Sequence, residues 1–125
     1  MKKIYFCHSS AFDYQKDLYD PIRNSNLSTE YEVILPHEDT HATLKTKDII
    51  KGCDMVVAEV SYPATGMGIE LGWADSYGVP IVCVYKNNAK LSSSLKFITD
   101  CFIEYSDAPG MITKVESYLS HIDET

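Results

Sequence analysis

The chain has 125 residues, of which 45% are hydrophobic and 23% charged, the proportions of an ordinary soluble globular domain. At this size folding removes roughly two-thirds of the unfolded chain's surface from water, so one core suffices without a disulfide or metal staple, and a single domain over residues 1–125 is expected. Eighteen acidic against eleven basic side chains leave a net charge of −7, which argues against polymeric nucleic acid or an anionic membrane as partner and leaves open a small anion held by backbone N–H groups.

No stretch nears the roughly 18 apolar residues of a membrane span. The start, Met1-Lys2-Lys3-Ile4-Tyr5-Phe6-Cys7, runs into polar His8-Ser9-Ser10 before a signal-peptide core could form, so a cytoplasmic location is expected. Cys7, Cys53, Cys83 and Cys101 are widely spaced with no C-x-x-C pair, which reads as reduced thiols.

In chain order, strand-length apolar runs fall at Lys3–Cys7, Tyr31–Leu35, Asp54–Val60, Pro80–Tyr85 and Cys101–Tyr105. The third and fourth are apolar at successive positions, as expected of central parallel strands covered on both faces, whereas the second alternates weakly and suits an edge. Between them, Phe12–Ser25 carries Leu18, Tyr19 and Ile22 at helical spacing, with Pro21 set to bend or restart the helix. Ala42–Gly52 reads as a helix with Leu44, Ile49 and Ile50 inward, and Gly66–Tyr77 as another, closed by Gly78. Ser92–Thr99 reads as a short helix and Pro109–Ile122 as a longer amphipathic one. This rhythm predicts an α/β, three-layer, flavodoxin-like (Rossmann-like) five-stranded parallel sheet of order 2-1-3-4-5, with ligands at the carboxyl ends of strands 1 and 3.

That edge directs attention to the segment from Glu59 to Ala74. Gly66 and Gly68 at a strand-to-helix junction let a ligand approach the backbone, and the N–H groups of the new helix form an anion site. Glu70, about one turn into the helix, is expected to stay ionised beside the positive end of the dipole, as a nucleophile or as an ordinary helix acid. The first loop, Cys7-His8-Ser9-Ser10-Ala11, offers hydroxyls and an imidazole, although either serine could serve as a helix cap and His8 could simply be solvated. His37-Glu38-Asp39-Thr40-His41 is rich in metal-ligating types, but its spacing matches no zinc pattern, so no metal is expected.

Four stretches together resemble the nucleoside 2-deoxyribosyltransferase family, and most closely its 2′-deoxynucleoside 5′-monophosphate N-hydrolase branch. They are Lys3-Ile4-Tyr5-Phe6-Cys7, Cys53-Asp54-Met55-Val56-Val57-Ala58-Glu59-Val60, Gly66-Met67-Gly68-Ile69-Glu70-Leu71-Gly72 and Gly78-Val79-Pro80-Ile81-Val82-Cys83-Val84. The resemblance runs collinearly over about residues 3–120. It implies cleavage of the N-glycosidic bond of a small-molecule nucleoside or nucleotide, by hydrolysis or by transfer of the deoxyribosyl group to another base. It places the nucleophilic glutamate at Glu70 and a positioning tyrosine at Tyr5. It places substrate contacts on Ser9, on Gly66 and Gly68 and, from an adjoining subunit, on Ser93 or Ser94; Cys7, His8 and Ser10 of the same first loop, and Thr65 beside the glycines, are further candidates for binding read from the sequence itself. A homodimer or larger homo-oligomer is implied, and no cofactor is needed, because the carboxylate itself supplies the nucleophile.

The chain also departs from that pattern. Thr46 stands where the family has an acid that protonates the departing base; Asp48 is the nearest acid, although two residues along a helix turn it by about 200°, and Glu38 is another possible replacement. Ala11 and Ala64 stand where the hydrolase branch has an arginine and a serine. These changes keep alive a second reading, a weakened nucleotide-binding sensor of the same fold. A third is a domain resembling the Toll/interleukin-1 receptor fold, whose first-strand serine loop Phe6-Cys7-His8-Ser9-Ser10 resembles and whose NAD-cleaving members also use a helix glutamate.

Overall fold

The apolar runs become strands of one sheet in the computed structural model, which describes residues 1–38 and 45–123. These strands are β1 (Lys3–His8), β2 (Glu32–Ile34), β3 (Met55–Glu59), β4 (Ile81–Lys86) and β5 (Phe102–Tyr105). All pairings are parallel and the order is β2-β1-β3-β4-β5, as expected from the sequence. The chain reverses its winding direction between β1 and β3, which opens a crevice at their carboxyl ends.

Side chains alternate along a strand, so β1 feeds two cores. Ile4 and Phe6 join Leu18, Tyr19, Ile22, Met111, Val115 and Leu119 on one face. Tyr5 and Cys7 join Ile50, Met67, Leu71 and Ala74 on the other. The second face is covered by α3 (Thr46–Lys51) and α4 (Thr65–Ser76), and the first by α1 (Asp20–Arg23) and α5 (Ala108–Asp123). Pro109 stands in the first turn of α5, where its missing N–H costs nothing, and Asp107 Oδ1 accepts the N–H of Gly110 at 2.8 Å. Gly78, with φ of 71°, closes the chain after α4 in the left-handed region.

Several expected boundaries shift. The helix read over Phe12–Ser25 begins as a π-helical turn, Gln15–Tyr19, in which Asp20 N–H reaches Gln15 O, and tightens into α1 beside Pro21. Proline lacks the N–H that a regular ladder would use, so the change of pitch falls where the expected restart was placed. A further short helix, α2 (Leu27–Glu30), was not foreseen, and it buries Leu27. The helix read over Ala42–Gly52 is α3 from Thr46 onward, and residues 42–44, including Leu44, lie outside the described residues. Ser92–Thr99 is a 3₁₀ turn, Ser93–Phe97, in which Ser92 Oγ accepts the N–H of Ser94 at 3.3 Å. Among the described residues, no helix is long and apolar enough to cross a membrane. All four cysteines carry free thiols.

Candidate active site

Tyr5 leaves the middle of β1 toward α4, and its hydroxyl donates a short hydrogen bond to Glu70 Oε2. Its ring is 1% exposed, so the phenol reaches the carboxylate from beneath through packed core. Burial and the neighbouring carboxylate both raise the tyrosine's pKa well above its ordinary value, so the proton stays on Tyr5. Glu70 is half-buried. Burial pushes its carboxyl above the ordinary value, and the Tyr5 hydroxyl pulls it part of the way back.

Glu70 lies about one turn into the helix, as expected, but the influence of the dipole expected there is outweighed by burial. Because α4 begins at Thr65, Glu70 is its sixth residue, past the N–H groups that concentrate the positive end. Desolvation dominates there, and the group that favours the anion is a tyrosine from the adjacent strand.

Glu70 and Tyr5 open onto a cleft of about 430 Å³. His8 and Ser10 from the first loop, Pro36 and His37 after β2, Thr46 of α3, and Ala64, Gly66, Met67, Ile69 and Trp73 along α4 complete its wall. A Cβ added at Gly66 meets nothing within 4 Å, so the glycine leaves open space at the mouth rather than serving a packing need.

His8 turns toward the opposite face of the sheet from Tyr5. Its Nδ1 lies 2.8 Å from Ser9 O, and its Nε2 lies 2.7 Å from the Tyr19 hydroxyl, which itself accepts the His37 N–H at 3.2 Å. A carbonyl can only accept, so Nδ1 carries the hydrogen, and in the neutral ring Nε2 accepts from Tyr19. Burial lowers the pKa of His8, which agrees with a neutral ring. Tyr14, at 4.7 Å between ring centroids, and His37, at 5.5 Å, pack around it.

The other sequence-selected residues distribute unevenly. Ser10 and Gly66 reach the cleft. Cys7 is completely buried beneath it, and Ser9 is buried with its Oγ accepting the Ala11 N–H at 3.0 Å, the loop-capping alternative. Thr65 begins α4 but is not on the cleft wall. Gly68 and Ser94 line a separate apolar groove between α4 and the 3₁₀ turn, and Ser93 is exposed on that turn. Asp48 is exposed and does not line the cleft, whereas Thr46 does, as the 200° argument anticipates. Glu38 is engaged by Arg23, whose Nε lies 2.9 Å from its Oε2. The metal-like run continues through Asp39, Thr40 and His41, which lie outside the described residues.

The sequence reading passed over several residues. Trp73 follows Glu70 by three positions, the same-face spacing of a helix, and was legible on that ground. Glu59, 1% exposed at the end of β3, accepts the Ser61 N–H at 2.6 Å, the Ser61 hydroxyl at 3.0 Å and a short bond from the Tyr105 hydroxyl. Ser61 Oγ in turn accepts the Lys86 N–H at 2.7 Å. This network ties the loop that launches α4 to β4 and β5, and so fixes where Glu70 begins its approach.

No family model matches the chain. A stretch of 37 residues is 46% identical to the 5-hydroxymethyl-dUMP N-hydrolase of Mus musculus, covering 30% of this chain and 21% of that protein, so the match spans about a fifth of the curated relative. Among solved structures, the CMP N-glycosidase of Clostridium botulinum superposes with a TM-score of 0.68 at 22% identity, over 92% of this chain and 99% of that one. The 2-deoxyribosyltransferase of Leishmania mexicana gives 0.54 at 22% identity, over 68% of this chain and 65% of that one. The α/β fold is therefore shared with proteins that cleave or transfer at N-glycosidic bonds, in agreement with the resemblance read from the sequence.

Proposed function

We propose that the chain is an N-glycosidase that cleaves the bond between a base and the (deoxy)ribose of a nucleoside-type small molecule, with Glu70 as nucleophile. The observation that carries this reading is the Tyr5–Glu70 pair, a half-buried carboxylate oriented by a phenol at the floor of a cleft on the sheet's switch point. A Glu70 oxygen forms a bond to the anomeric carbon while the C–N bond breaks and its electron pair leaves with the base, which takes up a proton. Water then attacks the same carbon and gives up a proton, which balances the one taken up by the base, while the bond from that carbon to Glu70 breaks and the carboxylate is restored with net retention at the sugar. A second base in place of water gives transfer instead of hydrolysis.

The departing base needs a proton donor, and Thr46 cannot supply one at neutral pH. On the described cleft wall the titratable side chains outside the Tyr5–Glu70 pair are His8 and His37. Both His8 nitrogens are engaged by Ser9 and Tyr19, which leaves His37 as the group we assign to this step. Chromatographic detection of free base from deoxynucleosides and ribonucleosides, each with and without an acceptor base, tests the activity. Loss of release in Glu70→Ala with an unchanged fold supports the assignment.

Thr46 favours one alternative, a member of the fold that binds nucleotide without turnover. Saturable binding with no base release would establish it. We also propose self-association through the groove lined by Met67, Leu71, Leu95 and Ile98, beside which the 3₁₀ turn presents Phe97 at 88% exposure. Phe97→Asp lowers the apparent mass in size-exclusion chromatography if that surface joins two copies.

A further inference from the structure

The charge of the cleft wall narrows the substrate class. None of the eleven Lys and Arg side chains, all of which lie among the described residues, lines the cleft around Glu70. Residues 39–44, which follow the His37 wall in sequence, contain no Lys or Arg either. Arg23 is held by Glu38 and by Val33 O at 3.0 Å, and Lys86 borders a different cavity beside Tyr62 and Tyr105. The wall that remains is Pro36, Ala64, Gly66, Met67, Ile69 and Trp73, together with Ser10 and Thr46 and two imidazoles, His37, already assigned to the departing base, and His8, whose nitrogens are taken up by Ser9 O and the Tyr19 hydroxyl.

A phosphate monoester carries between about −1.5 and −2 charges at neutral pH. In this cleft it shares space with the Glu70 carboxylate, in a chain whose net charge is already −7. The first-turn N–H groups of α4 offer some compensation, but a helix N-terminus amounts to only about half a positive charge. A neutral sugar end meets no such conflict and finds apolar wall and hydroxyls.

We propose that the cleft selects substrates with an uncharged 5′ end, a nucleoside rather than its 5′-monophosphate. This deepens the N-glycosidase reading, resting on it for the nucleoside character of the ligand. Because the discrimination is electrostatic, it weakens as salt rises, and a cation placed at the lip reverses part of it. Ser10 is exposed on the cleft wall and accepts such a change without disturbing the core.

The test measures kcat/KM for base release by the full chain from the four common 2′-deoxynucleosides, the corresponding ribonucleosides and the 5′-monophosphates of both, at low and high salt. Where no release occurs, calorimetric titration of the same protein with the same compounds replaces it. Nucleosides are expected to be preferred by tenfold or more, with the ratio falling at high salt and in Ser10→Arg. Equal or better handling of the monophosphates overturns the proposal, as does a nucleoside preference that neither salt nor Ser10→Arg moves. Nucleoside-selective binding without base release sustains it while overturning the glycosidase reading, and no binding of either class overturns both.

Discussion

The Tyr5 hydroxyl, delivered from the centre of β1, donates to Glu70 on the second turn of α4, so the carboxylate is oriented across the sheet–helix boundary rather than by its own helix. Tyr5→Phe removes that donor and leaves the ring packing in place. A hydrogen bond to a charged group contributes about 1.5–3 kcal/mol, and each 1.36 kcal/mol is tenfold in rate, so kcat is expected to fall by about ten- to a hundredfold. The tyrosine lowers the Glu70 pKa, so its loss moves the acidic limb of the kcat/KM profile to higher pH. A full pH–rate profile of both proteins checks this.

Glu70 also makes stability depend on pH. Its folded pKa is raised by burial, so the folded protein holds its proton more tightly than the unfolded chain does. The resulting stabilisation is complete below the ordinary carboxyl range and is lost as pH rises through the folded pKa. Glu70→Gln, which cannot ionise, is expected to gain melting temperature relative to wild type as the pH is taken from acidic to neutral. Thermal unfolding of the two proteins across that window measures the crossing.

Glu59 is expected to dominate the stability of the site's foundation. Glu59→Ala leaves the Ser61 N–H, the Ser61 hydroxyl and the Tyr105 hydroxyl without their acceptor, and a buried donor left unsatisfied costs about 1–3 kcal/mol. A loss of about 3 kcal/mol or more is expected from urea unfolding. Tyr105→Phe removes one donor along with its need for a partner and is expected to cost less than half as much.

The proton donor can be located by three substitutions. Asp48→Asn should leave base release within about twofold, because Asp48 is exposed and off the cleft wall. His37→Ala is expected to lower kcat by about 10²–10⁴, the usual contribution of general acid catalysis. Thr46→Asp, which puts an acid on the wall, is expected to raise turnover. Steady-state kinetics on one good nucleoside substrate decide all three.

The sheet order and the cleft's position were legible because they follow from local signals. Continuous apolar runs at Met55–Ala58 and Ile81–Val84 mark central strands, and Gly66 and Gly68 mark the junction that launches α4. The site's fine structure depends on partners remote in sequence. Tyr5 and Glu70 are 65 residues apart, Glu59 and Tyr105 are 46 apart, and no periodicity connects them. The π-helical turn before Pro21 shows the intermediate case, in which the residue that disturbs the helix is visible and the pitch it produces is not. Desolvation of Glu70 was likewise hidden, because burial of a helix acid is set by neighbouring elements rather than by its place in the helix.

The most direct test of the central claim is chromatographic measurement of free-base release from a panel of nucleosides and nucleotides by wild type and Glu70→Ala, with circular dichroism confirming that both are folded. Release by wild type that disappears in Glu70→Ala is the predicted result. Undiminished release by Glu70→Ala would remove Glu70 from the mechanism and contradict the account.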